Sequence, residues 1–417
     1  MADGIKIFLS YHKSTPIYKS DFFLPIKVGK GTLPDCISDS AGDNISELNP
    51  YYCELTGHYW VLKNYLNKAD EKYIGFAHYR RLPDLNNISE TDTPAIYGLN
   101  YSESVELFAD LNKSDLYKQC SKYDIILPCT CYMYGCTVNP ILRDDEEHFN
   151  TYEHFKKEHK NDLLNIVREV IKENHPEYTD PMEMCFSAEK SHFYNIYVMK
   201  KDLLKDYLDF MFEILEKTGE KIGGWEQEKY KRMAGFVGET LINIWLNKHT
   251  SLKIGYVPIY MIDFEAEYIQ NANKYHSEGR FEKEIDELKK LLEVTTDKFS
   301  VSFALLLAEL NTGQEDSIRE YLGLSKAHSQ NSDNYYDIAA VLPQDKYKTE
   351  ICELYKNAIS LSQKNKFYAK SYLKFAENVH DADITKDAWE HLQWYDLTPE
   401  EQKEYEHFKK IYEMIKG

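Results

Sequence analysis

The sequence predicts an α/β domain with a mixed, mainly parallel sheet over residues 1–264, followed by an all-α domain of helical hairpins over 265–417. Three observations carry this expectation. Strand-like and helix-like runs alternate through the first part of the chain, the pattern of a sheet covered by helices. Beyond Glu265 strand-like runs give out, and helix patterns are broken only by short stretches such as "SEG", "NTG", "SQNSD" and "DLTPEE". At 417 residues the chain also exceeds one ordinary hydrophobic core.

The elements follow in order. "IKIFLSYH" is rich in β-formers and opens the sheet. In "NPYYCELTGHYWVLKNYL", Asn49 is placed to cap a helix, Pro50 suits its first position, and apolar residues recur at near-helical spacing. "YIGFAHY" and "YDIILP" read as buried strands, the latter stopped by Pro128. "TYEHFKKEHKNDLLNIVREVIKENHPEY" is an amphipathic helical region ending near Pro176. "FYNIYVMKK" is a further strand, followed by a long helix in "LLKDYLDFMFEILEKTG". "YKRMAGFVGETLINIWLNKH" reads as a glycine-marked turn into an apolar helix, and "KIGYVPIYMID" as a late strand. In the all-α part, Gly279 and Gly313 lie 34 residues apart, the period of tetratricopeptide-type hairpins.

Lys plus Arg number 50 and Asp plus Glu 69, giving a net charge of −19. Such a chain repels phosphate backbones in general, so nucleic acid is not an expected partner. No stretch approaches the roughly 18 uninterrupted apolar residues of a spanning helix, and the N-terminus has no basic start with a long apolar run behind it. The reading is cytoplasmic. The eight cysteines are scattered as reduced thiols are; Cys129, Cys131 and Cys136 cluster, but at no usual zinc spacing. No residues are assigned to a metal.

In open α/β sheets, ligands collect at the carboxyl ends of strands. That rule gathers Tyr11, His12 and Lys13, then His78, Tyr79, Arg80 and Arg81, then Pro128 onward, on one rim. Two adjacent arginines suit bidentate contact with a diphosphate, or else ion pairs with the many carboxylates. Asp43 and Asn44 follow a glycine, where they either meet a ribose or base edge or cap the turn. Glu54 lies in the helix beyond, and His192 and Asn195 flank a strand. Glu239 follows Gly238 at the expected start of a helix, whose positive end stabilises a carboxylate there and suits it to act as general base. No Walker loop, GxGxxG, GxSxG or HExxH occurs, and the one Asp-x-Asp, Asp381 to Asp383, lies in the helical part.

Taken in order, "FLSYHK", "GDNISELNPYYCELTGHYWVLKN", "YIGFAHYRR", "YDIILP", "EHKNDL", "YNIYVMKK" and "GFVGETLINIWL" are distinctive. Over roughly residues 4 to 264 the chain resembles a bacterial domain-of-unknown-function family of capsular and exopolysaccharide gene clusters. Its members are regarded as nucleotide-sugar glycosyltransferases of GT-A-like fold, some linked to galactofuranose transfer. The likeness marks Asp43, Asn44, Glu54, His78, Arg80, Arg81, His159, Asp162, Asn195 and Glu239. The chain departs in carrying Gly238-Glu239-Thr240 where relatives more often have Ala-Glu-Arg, and in its helical tail.

What the resemblance implies is transfer of a hexose from a UDP-sugar to a hydroxyl of a capsular, exopolysaccharide or lipopolysaccharide glycan, with inversion as the first reading and retention as the alternative. The acceptor is a glycan or a lipid-linked oligosaccharide, met in the cytoplasm or at the inner face of the membrane. Tyr11, His12, Lys13, Asp43, Asn44 and His78 would seat the nucleotide, with Arg80 and Arg81 on the diphosphate. Glu54, His192 and Asn195 would meet sugar or acceptor, and Glu239, His159 or Asp162 would take the acceptor proton. The arginines either replace a divalent ion or accompany Mn²⁺ or Mg²⁺. The helical domain would contact a protein partner or a second copy. Two other classes stay open: a sugar-nucleotide hydrolase or phosphotransferase, and a non-catalytic scaffold for glycan assembly.

Overall fold

Ile5, Ile7, Phe8 and Leu9 are all fully buried, which makes the first strand the middle of a sheet rather than its edge. The computed structural model describes residues 2–109, 111–133, 149–362, 365–393 and 395–416. The chain divides into two units, 1–267 and 268–417.

In chain order the strands of the first unit are β1 (Ala2–Tyr11), β2 (Phe23–Lys27), β3 (Ile37–Ser38), β4 (Glu71–His78), β5 (Arg81–Pro83), β6 (Ile96–Asn100), β7 (Ile125–Pro128), β8 (Cys131–Tyr132), β9 (Lys190–Ser191), β10 (Tyr197–Lys200), β11 (Ile254–Val257) and β12 (Ile259–Asp263). The helices are α1 (Asn49–Tyr52), α2 (Leu55–Trp60), α3 (Tyr101–Ala109), α4 (Lys113–Cys120), α5 (Thr151–His159), α6 (Leu163–Asn174), α7 (Thr179–Ser187), α8 (Lys201–Lys221) and α9 (Met233–Lys248).

The main sheet has the order β11-β7-β10-β4-β1-β2-β3 and is mixed but mainly parallel. β1 pairs in parallel with β2 and β4, bringing Ser10 level with His78 and Tyr11 level with Lys27. β10 is antiparallel to both β4 and β7. Hence β1, β2, β4 and β7 all end on one rim, and β10 begins there. β4 does not stop at its arginines: it turns through Tyr79 and Arg80 into the short β5, with Arg81 back opposite His78. β5 and β6 in turn pair with β12.

One face of the sheet is covered by α8 and α9, whose buried residues include Leu204, Leu208, Met211, Leu215, Leu241 and Trp245. The Trp245 indole N–H donates to Asp206 at 2.9 Å, so the polar end of the largest core side chain is satisfied.

Two helical expectations need correction. The helix expected over residues 49–66 breaks after four residues, because Cys53 takes φ 52° and ψ −132°. Asn49 does not cap; it is the first helical residue, and its side-chain amide donates to the Cys53 carbonyl at 2.7 Å and the Thr56 hydroxyl at 3.2 Å, holding the break. The glycines of "MAGFVGET" mark no turn either. Both sit inside α9, which starts at Met233. A Cβ on Gly235 would lie 3.2 Å from the Cys53 Cβ, and one on Gly238 would lie 2.8 Å from Leu55 Cδ1 and 3.2 Å from Asn195 Oδ1. They let α9 approach the α1–α2 break closely. Gly238→Ala should therefore lower stability by about 1–3 kcal/mol through overpacking, read as a lower denaturation midpoint in urea at unchanged slope.

The second unit is all helix among the described residues. The division falls within α10 (Phe264–Ser277), and α11 (Phe281–Val294), α12 (Lys298–Thr312), α13 (Glu315–His328), α14 (Ser332–Val341), α15 (Lys348–Leu361), α16 (Lys366–Asn378), α17 (Ala382–Leu392) and α18 (Pro399–Lys416) follow. Neighbours in sequence pack on one another, and Gly313 ends α12 in the left-handed conformation at φ 73°. Asp381 caps α17 through the Asp383 and Ile384 amides, so "DAD" has a structural use there.

Candidate active site

A cleft of about 730 Å³ opens at the rim where β1, β2 and β4 end. Ser10, His12, His78, Arg80 and Arg81 come from these strand ends. The second wall is the α1–α2 break and the start of α9, with Cys53, Glu54, Arg232, Phe236 and Glu239. The third is α5 and the segment before β10, with His154, Phe155, Glu158, His159 and Tyr194.

The helix break decides where Glu54 points. Glu54 occupies the cap position of α2 yet makes no capping bond; its carboxylate instead accepts from the Asn195 side-chain amide at 2.6 Å and lies 3.5 Å from His78 Nε2. Burial alone would raise this carboxyl, but His78 and the Asn195 amide overcome it and hold Glu54 down to about 2. Asn195 is 2 % exposed and also donates to the Gly235 carbonyl of α9 at 3.2 Å, so it ties Glu54 to that helix. It does so from a strained backbone: Tyr194 has φ 77° and Asn195 φ 51°.

Glu239 stands on the opposite footing. It is the seventh residue of α9, beyond the first turn, so the helix end does not stabilise its charge. Burial, and next the charge of Glu54, push its carboxyl up to about 8, against the pull of Arg81, the Tyr194 backbone N–H and Arg232. Of these two carboxyls, Glu54 is thus ionised and Glu239 protonated at neutral pH.

Neither Arg80 nor Arg81 forms an ion pair among the described residues. Arg80 is exposed at the tip of the β4–β5 turn. Arg81 is half-buried, its guanidinium 4.8 Å from the centre of the Tyr194 ring, and its Nε is buried without a hydrogen-bond partner. The Ser10 hydroxyl at the same rim is likewise buried and, among the described residues, unpartnered. Buried donors and acceptors of this kind are costly unless something outside the protein meets them.

Other residues singled out in the sequence fall in three groups. His12 and His159 line the cleft. Desolvation, then the charges of His78, Lys13, Arg80 and Lys27, bring His12 down to about 4. His159 stacks on Phe236 at 4.1 Å and is also brought to about 4, chiefly by burial. Tyr11 is fully buried and accepts the Tyr18 amide at 3.1 Å, so it faces the interior. His192 is buried too, with Nδ1 2.7 Å from the Pro128 carbonyl and its backbone held by Asn243. Asp43 and Asn44 form a surface turn: Asn44 donates to the Ser40 and Gly42 carbonyls, and the Asp43 backbone is clasped by Asn64. Asp162 pairs with Lys156 at 3.0 Å on the surface outside the cleft lining.

The residues missed by sequence reasoning are Ser10, Tyr194 and Arg232. Ser10 lies in "FLSYHK", one residue before the stretch singled out, and Arg232 precedes α9 in the left-handed conformation at φ 65°. For Mn²⁺ or Mg²⁺ the described residues offer no cluster of three or more His, Cys, Asp or Glu side chains. Cys136 of the cysteine cluster lies outside the described residues, so that trio is not described as a whole.

Residues 6–250 match the family described as a domain of unknown function, DUF4422. The chain belongs to this family. Among solved structures it is similar to the apo structure of WbbM, a bifunctional glycosyltransferase, with a TM-score of 0.54 and 28 % identity. The likeness covers 62 % of this chain and 45 % of that one, so the chain matches less than half of that neighbour's length. No curated protein matches. Among the described residues no helix is long and apolar enough to cross a membrane.

Proposed function

We propose that the first unit is a nucleotide-sugar glycosyltransferase. It moves a hexose, with galactofuranose as one candidate, from a UDP-sugar to a hydroxyl of a capsular, exopolysaccharide or lipopolysaccharide glycan. The observation that carries the reading is Arg80 and Arg81 at the rim of the cleft without carboxylate partners among the described residues, across from a carboxyl of raised proton affinity. The likeness to a glycosyltransferase supports the same class of reaction.

In the proposed step the bond from the anomeric carbon to the donor's phosphate oxygen breaks as the acceptor oxygen bonds that carbon from the opposite face, with inversion. The electron pair of the broken bond leaves on UDP. Arg81, aided by Arg80, stabilises the growing charge on the diphosphate. The acceptor proton passes to ionised Glu239. His159, an uncharged ring stacked on Phe236, packs against substrate rather than competing for the proton. Asp162 has no part in the step, so Asp162→Asn should change turnover less than about twofold, as for surface positions in general.

With a lipid-linked acceptor the reaction runs at the inner face of the cell membrane, and the helical unit contributes a protein contact, either to a partner or to a second copy. A panel of UDP-, GDP- and CMP-sugars, each with and without acceptor glycan, tests the reading. Transfer only with a UDP-sugar and acceptor supports it. Release of free sugar without acceptor identifies a hydrolase, and binding without turnover of any donor identifies a scaffold.

A further inference from the structure

The described arginines divide by location. Arg168, Arg280 and Arg319, which do not line the cleft, each pair with a glutamate, at 3.0, 2.7 and 3.1 Å. Arg80, Arg81 and Arg232 line it, and among the described residues none of them pairs with a carboxylate. Arg81 and Arg232 stand on different walls, each laid over an aromatic ring: Arg81 over Tyr194 at 4.8 Å and Arg232 over Phe236 at 5.1 Å. We propose that Arg232 is a second anion site of the cleft, separate from the diphosphate site at Arg80 and Arg81, and that it binds a negatively charged group, phosphate or carboxylate, carried by the acceptor.

Arg232 is held in place at a cost. Its backbone is left-handed at φ 65°, which a non-glycine residue adopts with strain, and its N–H donates to the Pro50 carbonyl at 2.9 Å. The ring beneath its guanidinium is itself backed, since His159 stacks on Phe236 at 4.1 Å and 19°. Among the described residues the chain supplies no ion-pair partner to it. α9 has no acidic residue in its first turn, and Glu228 engages the neighbouring Lys231 at 3.5 Å rather than Arg232. The polar side chain that Arg232 does meet is the Cys53 thiol, which burial keeps uncharged. A stacked guanidinium in that state keeps its charge and its planar fork for phosphate or carboxylate oxygens.

The sequence places this site relative to the chemistry. Arg232, Gly235, Phe236 and Glu239 follow the i, i+3, i+4, i+7 spacing of one helical face, and all four line the cleft. Seven helical residues rise about 10 Å, so Arg232 stands two turns from Glu239 along that face. At Glu239 the cleft meets Tyr194, whose backbone N–H reaches that carboxyl and whose ring carries Arg81. Donor and acceptor charges are thereby set apart, with the proton acceptor between them. The inference rests on the proposed transfer for putting the acceptor hydroxyl at Glu239; the anionic group then lies roughly 10 Å from the reacting oxygen. A lipid-linked diphosphate, a phosphodiester and an acidic sugar all offer that chemistry.

The test reads binding, without turnover. The full chain is labelled with ¹³C at arginine Cζ, and the Arg81 and Arg232 signals are identified by their loss in Arg81→Lys and Arg232→Gly; glycine suits φ 65°, so the second variant keeps the fold. UDP should shift the Arg81 signal and leave Arg232 in place. Methyl phosphate or D-glucuronate, added to the UDP-saturated chain, should then shift Arg232, whereas glucose should not; the more effective anion tells a phosphate-bearing acceptor from an acidic sugar. Arg232→Gly should weaken that second binding by about tenfold or more while UDP affinity holds. An Arg232 signal that answers UDP, or that answers neither anion, would overturn the proposal, as would a matching loss of UDP affinity in Arg232→Gly. A chain that does not bind UDP loses the transfer reading, and the anions are then read on the free chain by the same criterion. The expected shifts without sugar transfer would sink the transfer reading alone, and transfer with Arg232 unmoved by either anion would sink only this inference.

Discussion

Arg81→Ala is expected to lower kcat by about 10²–10³ and to weaken UDP binding, the cost of removing one preorganised donor from a developing oxyanion. The reasoning starts from what Arg81 lacks. Its guanidinium lies over Tyr194 at 4.8 Å, and among the described residues its Nε is buried with no acceptor and no carboxylate pairs with it. A cation in that state retains its full capacity for an incoming anion. Arg81→Lys should recover charge but not the planar fork, and so only part of the rate. Arg80→Ala should cost less, because Arg80 is exposed and its field is screened by water. Steady-state kinetics and calorimetric titration with UDP read both effects. Unchanged UDP binding and turnover in Arg81→Ala would remove the leaving-group role. Because Arg81 forms no ion pair among the described residues, its thermal midpoint should stay near that of the parent, which separates a lost contact from a lost fold.

The sequence made the rim legible because strand order and direction follow from alternation and buried runs. Ser10, His78 and Arg81 come together through a register, Ser10 beside His78 and His78 opposite Arg81, that a sheet with parallel β1 and β4 imposes. The rest depended on partners far away in the chain. Nothing local at Cys53 signals a break; it needs the Asn49 amide and the close approach of α9. Gly235 and Gly238 read as a turn because glycine serves turns and tight helix contacts alike, and only the positions of Cys53 and Leu55 distinguish them. Asp43 and Asn44 resemble ligand contacts by residue type, yet Asn64, some 20 residues later, absorbs their turn. His192 suits a site by residue type, yet the Pro128 carbonyl meets its Nδ1 and Asn243 holds its backbone. The carboxylates show the same limit. That Glu54 is ionised and Glu239 protonated follows from Asn195, His78 and burial, not from either residue's neighbours in sequence.

Glu239→Gln is expected to lower kcat by about 10²–10⁴, the usual worth of a positioned general base, while leaving UDP affinity near its original value. The pH dependence follows from the raised proton affinity. With its carboxyl at about 8, the base is mostly protonated at neutral pH, so kcat/KM should climb tenfold per pH unit up to about 8 and then level. The variant should lose that limb. Stability provides an independent check of the same group. The folded value of about 8 lies above the ordinary 4.5, so the native state keeps a proton that the unfolded chain releases between those pH values. The stabilisation is complete below 4.5 and is lost as pH rises towards 8. Gln mimics the protonated form at every pH, so Glu239→Gln should melt with the parent at pH 4 and above it at pH 9. The same melting temperature difference at both pH values would mean that Glu239 is not the buried, protonated carboxyl described, and the base assignment would fall with it.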